Sequence, residues 1–370
     1  MIQQSKPCVT ILNAGPGLGF YVPGVIMARQ LKDAGIPAEL HVFESFYKGD
    51  KKNIIPKMKS KFHKNFSFAL MGQNMATDPA GALDEELVTA LIESWIKEKR
   101  QHFVVFSGFW MSILNRFLDS TDSAAIHIDL CHLDADYSVS WKMYSCSKPD
   151  VNTNWFHSWE NQKINYYMNV DGSSPLPFEK RDHNLIIHGG GWGLGDYEAK
   201  GEELIATEFS LSVLVYDQQD LEKANPKFDF YFLDPKWNIW DLNENDQHDF
   251  PPLFHIDRKD NNNMKRLSNK DFSPLYEIVR KSKAIISKPG AGTLIDSLSS
   301  ATPLIMLEPY GNSENKNGLL WKKYGLGMSF EDWRETDFSS EVLEQMHQNL
   351  LNVRSDTTNY ITSYIINHGL

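Results

Sequence analysis

Two glycines, a hydroxyl and a carboxylate stand close together in Lys288-Pro289-Gly290-Ala291-Gly292-Thr293-Leu294-Ile295-Asp296. Each has a chemical use. Glycines let the backbone come near a ligand, and the amides that open a helix favour an anion there. Thr293 adds a hydroxyl, and Asp296, one turn further on, can accept hydrogen bonds from a sugar hydroxyl. The pattern describes a pocket for a nucleoside diphosphate; an ordinary strand–turn–helix of a parallel sheet would carry the same order. The elements around it are legible. An apolar strand over 284–287 leads into the turn, and Leu294, Ile295 and Leu298 share one face of the helix that follows. A second buried strand, 303–307, ends at Glu308-Pro309, and a polar loop with Asn312, Glu314, Asn315 and Asn317 leads into another helix.

Three stretches in sequence carry a resemblance: Ser-x-Pro-Gly-Ala-Gly-Thr-Leu-x-Asp at 287–296, Thr-Pro-Leu-Ile-x-Leu-x-Pro at 302–309 and Asn-x-x-Asn-x-Asn-Gly at 312–318. Their order resembles the donor-binding half of nucleotide-sugar glycosyltransferases of the GT-B fold. The bacterial lipid-linked N-acetylglucosaminyltransferase and the plant galactolipid synthases are the nearest likeness. The resemblance implies an α/β chain of two facing Rossmann-like domains with a cleft between them. It also implies Asp296 on the ribose of UDP, Gly290, Gly292 and Thr293 toward the diphosphate, and Asn312, Glu314 and Asn315 on the donor sugar. Relatives usually carry a glutamine where Glu314 stands; an ionised glutamate only accepts, which points to a donor other than N-acetylglucosamine or galactose. An inverting transfer that needs neither metal nor a cofactor beyond the nucleotide sugar follows from the resemblance alone.

The first half opens with a strand over 8–13 and the turn Ala14-Gly15-Pro16-Gly17-Leu18-Gly19. A dinucleotide fingerprint needs glycine at its first, third and sixth positions, and counting from Gly15 the sixth is Phe20, which argues against NAD. The family carries Gly-His-x-x-Pro-Gly here, and this chain has Gly19-Phe20-Tyr21-Val22-Pro23-Gly24. Phenylalanine can neither take a proton nor hydrogen-bond a sugar, so the base must come from elsewhere or the chemistry must differ. Gly17, Gly19, Phe20 and Trp110 are the expected acceptor side of the cleft. The segment 124–138 is dense in His127, Asp129, His132, Asp134 and Asp136, and strand ends collect ligands in parallel sheets. Asp129 or His132 leads as catalytic base, followed by His127 or Glu44; a buried structural His127 with aspartates as loop caps explains the same residues. No second cluster supports a metal site.

A second start mirrors the first: a strand over 184–188, then Gly189-Gly190-Gly191-Trp192-Gly193-Leu194-Gly195. In the family this turn, here Gly190 and Gly191, approaches the donor phosphates. A Gly/Ser/Pro stretch precedes it, so the expected division is an acceptor domain over 1–174, a donor domain over 175–350 and a closing helix within 351–370 that packs back on the first domain. The Lys-rich segment 48–68 reads as a solvated helix or mobile loop. The helix over 84–99 is amphipathic with Asp84 as N-cap, and the aromatic, acidic segment 234–262 reads as a surface excursion; the resemblance implies that the loop after a short strand at 253–256 lies near the uracil.

Composition sets outer limits. The chain has 370 residues, enough for two domains, and is 41% hydrophobic with a formal charge of −11. That charge disfavours nucleic acid as a partner. Three cysteines without metal or redox spacing fit a reducing cytoplasm, and neither a signal peptide nor a membrane span is expected. The reading is a cytoplasmic glycosyltransferase that takes a UDP- or TDP-sugar to a small-molecule, sugar or lipid acceptor, with peripheral membrane contact as a further expectation. A nucleotide-sugar epimerase and a degenerate GT-B module that binds without transfer are the rivals.

Overall fold

Short apolar runs, each followed by a turn and a helix with one apolar face, build two large separate sheets, beside two small two-stranded ones, in the computed structural model, which describes residues 6–15, 17–74, 78–148, 150–216, 227–257 and 263–370. The first sheet contains β1 (Val9–Asn13), β2 (Ala38–Val42), β3 (His102–Val105), β4 (His127–His132) and β5 (Asn152–Trp155), ordered β2-β1-β3-β4-β5 with every pair parallel. Every residue of β1 is buried, as expected of a strand covered on both faces. The second contains β6 (Asn184–His188), β7 (Ser210–Val215), β8 (Phe228–Leu233), β9 (Leu253–Asp257), β10 (Asn263–Leu267), β11 (Ala284–Ser287), β12 (Leu304–Met306) and β13 (Gly327–Ser329). Its order is β10-β9-β8-β7-β6-β11-β12-β13, parallel except for the antiparallel β9 and β10 at one edge.

Strand order reverses beside β1 in one sheet and beside β6 in the other. Ligands of open parallel sheets gather at the carboxyl end of such a reversal. Both glycine-rich turns leave from those ends, which is why the fold presents them to each other. Helix α1 (Tyr21–Asp33) follows the first turn and buries Val25, Ile26 and Leu31.

Two segments behave differently from expectation. The Lys-rich stretch folds as a helical hairpin, α2 (Ile54–Lys64) and α3 (Phe66–Asn74). It reaches the second domain: His63 Nδ1 lies 2.6 Å from Gly193 O, and Tyr310 Oη donates to Ala69 O at 3.0 Å. Asp84 then caps α4 (Glu85–Lys97) through the amides of Glu86 and Leu87. The excursion after β8 does not stay on its own sheet. Tyr21 Oη donates to Asp249 O at 2.7 Å, Arg29 pairs with Asp249 at 2.6 Å, and Ile239 and Phe250 are buried in the core of α1. Its aromatics find apolar surface on the first domain, and that burial pulls the strand-free segment across. Pro16 of the first turn and the 258–262 loop expected near the uracil lie outside the described residues. No helix among the described residues is long and apolar enough to cross a membrane.

Candidate active site

After β11, the turn Lys288-Pro289-Gly290 leads into α5 (Ala291–Ser300). Gly290 is the N-cap and offers no side chain, so the first amides of α5 keep free hydrogen-bonding capacity at the positive end of the helix dipole. Two further donors share this corner. Lys288 is buried, with Nζ 3.9 Å from Glu314 Oε1 and 3.4 Å from where a Cβ on Gly190 would stand. Trp192 Nε1 is a buried donor with no acceptor among the described residues, 3.7 Å from a Cβ built on Gly17. Uncapped amides, an ammonium and an indole N–H together suit a polyanion.

Asp296 lies one turn into α5. It is half-buried, its carboxylate has no hydrogen-bond or ion-pair partner among the described residues, and burial raises it to about 7. An unpaired carboxyl held partly out of water is costly unless a ligand brings donors to it. Gly290, Gly292 and Thr293 stand at the start of the same helix, and Gly190 and Gly191 come from the turn after β6. His188 at the end of β6 accepts the Gly190 N–H at 3.1 Å through Nδ1, and burial holds the imidazole at about 3, neutral.

The first domain closes over this corner. A Cβ on Gly19 would stand 3.8 Å from Gly292 N, and one on Gly292 would stand 3.5 Å from Gly19 Cα. Glycine is needed at a neighbouring point of the same contact, where a Cβ on Gly191 would stand 2.8 Å from Gly17 O.

The expected polar loop is a helix, α6 (Gly311–Lys323). Its period separates the polar residues. Glu314 turns inward, where Oε2 accepts the Tyr310 N–H at 2.6 Å and so fixes its own helix start. Asn317 is fully buried: Nδ2 donates to Asp134 Oδ1 and to Pro289 O, both at 2.8 Å, and Oδ1 accepts the Ala135 N–H at 2.6 Å. Asn312 Nδ2 donates to Asp136 Oδ2 at 2.8 Å, and Asn315 is exposed.

The His/Asp cluster of β4 is split by the strand it lies on. Asp134 and Asp136 follow the carboxyl end and meet α6. His127 sits at the opposite end, stacked on His102 at 5.0 Å, so the expectation that it faces the cleft is corrected. Asp129 is likewise turned away: it lies 2.9 Å from His368 Nε2 of the C-terminal segment and lines a cavity of about 480 Å³ with Tyr360 and Tyr364. His132 is at the right end but sits in an aromatic box, 4.2 Å from the Trp155 ring and 4.6 Å from Trp141, where burial lowers it to about 4. Trp110 does not line the cleft either; it is fully buried, with its indole N–H on Asn13 O and its ring against Phe43 and Phe46. Phe20 lies against Gly15, and Gly17 against Trp192.

The sequence reading missed Lys288, whose position directly after a strand in a glycine turn was the available signal. It also missed Asn317 as the link between domains, for which no local signal exists. Among the described residues no group of three or more His, Cys, Asp or Glu side chains could hold a metal ion.

No protein-family model matches the chain, and no curated protein matches it in sequence. Solved structures do match in fold. The glycosyltransferase SnogD from Streptomyces nogalater is 14% identical with TM-score 0.51, covering 96% of each chain. MurG from Acinetobacter baumannii is 13% identical with TM-score 0.52, covering 98% of each, and the glycosyltransferase VinC in complex with dTDP is 9% identical with TM-score 0.52, covering 97% of each. The chain has the GT-B fold, two Rossmann-like domains facing across a cleft.

Proposed function

We propose that the protein is a glycosyltransferase that takes the sugar of a UDP- or TDP-sugar held by the second domain and passes it to a hydroxyl on the first. The observation that carries this reading is Asp296, half-buried and unpartnered beside the uncapped start of α5. In that frame the carboxylate accepts the ribose hydroxyls, and the α5 amides, Thr293, Lys288 and the Trp192 N–H surround the diphosphate. The acceptor oxygen bonds to the anomeric carbon, the bond to the diphosphate breaks, and the electron pair leaves with the nucleotide. Donors already fixed in place stabilise that departing charge, and inversion at carbon without metal or further cofactor belongs to the same proposal. VinC, whose structure holds dTDP, supports the nucleotide class.

The hairpin bears on the acceptor. Ile54, Met58, Phe68 and Met71 are exposed there, with exposed Lys57, Lys61 and Lys64 on the same two helices, a combination that supports peripheral contact with a lipid surface. Three free cysteines support a cytoplasmic setting. The epimerase alternative loses His127 and Asp129, which face away from the cleft. A module that binds without transfer is favoured by Phe20 and by the contact of Gly19 with Gly292.

Calorimetric titration with UDP, TDP, GDP and NAD, with and without Mg²⁺, tests the reading. Metal-indifferent binding of UDP or TDP is expected, weakened at least about tenfold, or about 1.4 kcal/mol, by Asp296→Ala. Unchanged affinity in that variant would remove the donor assignment, and binding without any sugar transfer would leave the non-transferring module.

A further inference from the structure

Glu44 follows β2 in the short helical turn Phe43–Phe46 and is 3% exposed. Its Oε1 accepts the Gly15 N–H at 3.0 Å, which ties the carboxyl to the first glycine turn. Its Oε2 is buried and has no partner among the described residues. One half of the carboxyl is thus accounted for by structure, and the other is not. An unpaired buried carboxylate oxygen costs stability, and groups kept at that cost collect at functional sites.

What surrounds Glu44 is equally specific. Lys59 of α2 and Tyr47 are the ionisable groups that face it. Burial raises Glu44 to about 7 and lowers Lys59 to about 8, yet no ion pair joins the two among the described residues. A buried carboxyl and a half-buried amine therefore face one another without closing. The Phe20 ring lies on the same peptide, 3.6 Å from a Cβ built on Gly15, and four residues on Gly19 touches the start of α5. The carboxyl borders the first-domain side of the turn whose other side meets the candidate donor helix.

Resting on the transferase reading, we propose that Glu44 is the general base of the acceptor half, with Lys59 as the cation that completes its site. The acceptor O–H proton passes to Glu44 Oε2 as the acceptor oxygen bonds to the anomeric carbon. The bond from that carbon to the diphosphate oxygen breaks, its electron pair leaves with the nucleotide, and Glu44 later returns its proton to solvent. This supplies the group that Phe20 cannot. Because Oε2 is closed from solvent, the acceptor reaches it when the α2–α3 hairpin lifts, which also releases His63 from Gly193.

The test uses water as the probe acceptor: UDP release from UDP-glucose and from TDP-glucose, TDP in the latter case, is followed against pH beside UDP and TDP affinity. Wild type is expected to gain rate as pH rises through about 7, since the base works deprotonated. Glu44→Gln keeps an oxygen for the Gly15 amide, so it is expected to hold its melting temperature and nucleotide affinity while losing at least about 100-fold in rate together with the pH limb. Lys59→Met is expected to move the limb to higher pH, because a removed positive charge favours the neutral carboxyl; a purely structural lysine would not shift it. A Glu44→Gln enzyme as fast as wild type, or with its limb intact, would overturn the assignment while leaving the donor site standing. Nucleotide binding with no release at any pH would overturn it too. Absence of nucleotide binding by wild type would instead overturn the transferase reading, and this one with it.

Discussion

Asn317 uses its whole amide on three groups from two domains, the Asp134 carboxyl, the Ala135 amide and the Pro289 carbonyl. Asn317→Ala strands all three in a dry site, and an unfolding free energy lower by about 3 kcal/mol is expected in urea. Burial raises the carboxyl of Asp134 to about 7, as it does those of Glu44 and Asp296. The folded chain holds these protons after the unfolded chain has released them, so their contribution is full below the ordinary carboxylate range and is lost as pH rises to about 7. Buried His132, His157 and His248, lowered to about 4, push the other way over much of that window. The difference between Asp134→Asn and wild type isolates one carboxyl. Its melting temperature is expected to improve relative to wild type as pH rises from about 4.5 to 7, and a flat difference would contradict the burial argument.

At the scale of elements, what could be read in advance follows from locality. β1, β6 and β11 are apolar runs ending in glycine turns, and Asp296 is one helical turn from Gly292, so strand, turn and carboxylate are all set within a dozen residues of one another. β5, Asn-Thr-Asn-Trp, is polar because it is an edge strand with half-exposed residues, and no periodicity marks it. His127 and His132 lie on one strand, but only the sheet decides which end faces the cleft. The α2–α3 hairpin is the sharpest case: its lysines read as a solvated surface, while Phe62 and His63 among them dock on Trp192, Tyr216 and Gly193. Gly193 makes that docking possible. Its φ is +59°, and a Cβ there would stand 2.6 Å from Tyr216 Cβ and 2.8 Å from His63 Nδ1. Gly193→Ala is therefore expected to unseat the hairpin, with tryptic cleavage at Lys57, Lys61 and Lys64 faster by about tenfold at a local opening cost of about 1.4 kcal/mol. Unchanged cleavage would show that Phe62 and Tyr310 hold the hairpin without His63.

Each half has a core of its own, and a further core is shared between them. One core contains Val25 and Ile26 of α1, Ile239 and Phe250 of the excursion after β8, Ala291 and Ile295 of α5, and Tyr360, Ile361 and Tyr364 of the final helix, α7 (Tyr360–Asn367). Chain from the second half thus crosses to the first twice, before β9 and at its end, and each crossing buries side chains against α1. Such an arrangement couples the two halves in stability. Ile239→Ala, which empties a fully apolar site in the shared core, is expected to lower stability by about 3 kcal/mol. Because both halves lose the same contacts, the loss should appear in one transition, seen alike by tryptophan fluorescence and far-ultraviolet circular dichroism. Two separated transitions, with only one displaced by the substitution, would mean that the halves fold alone and that the excursion merely rests on α1. A single displaced transition would mean that the shared core makes the two halves unfold as one unit.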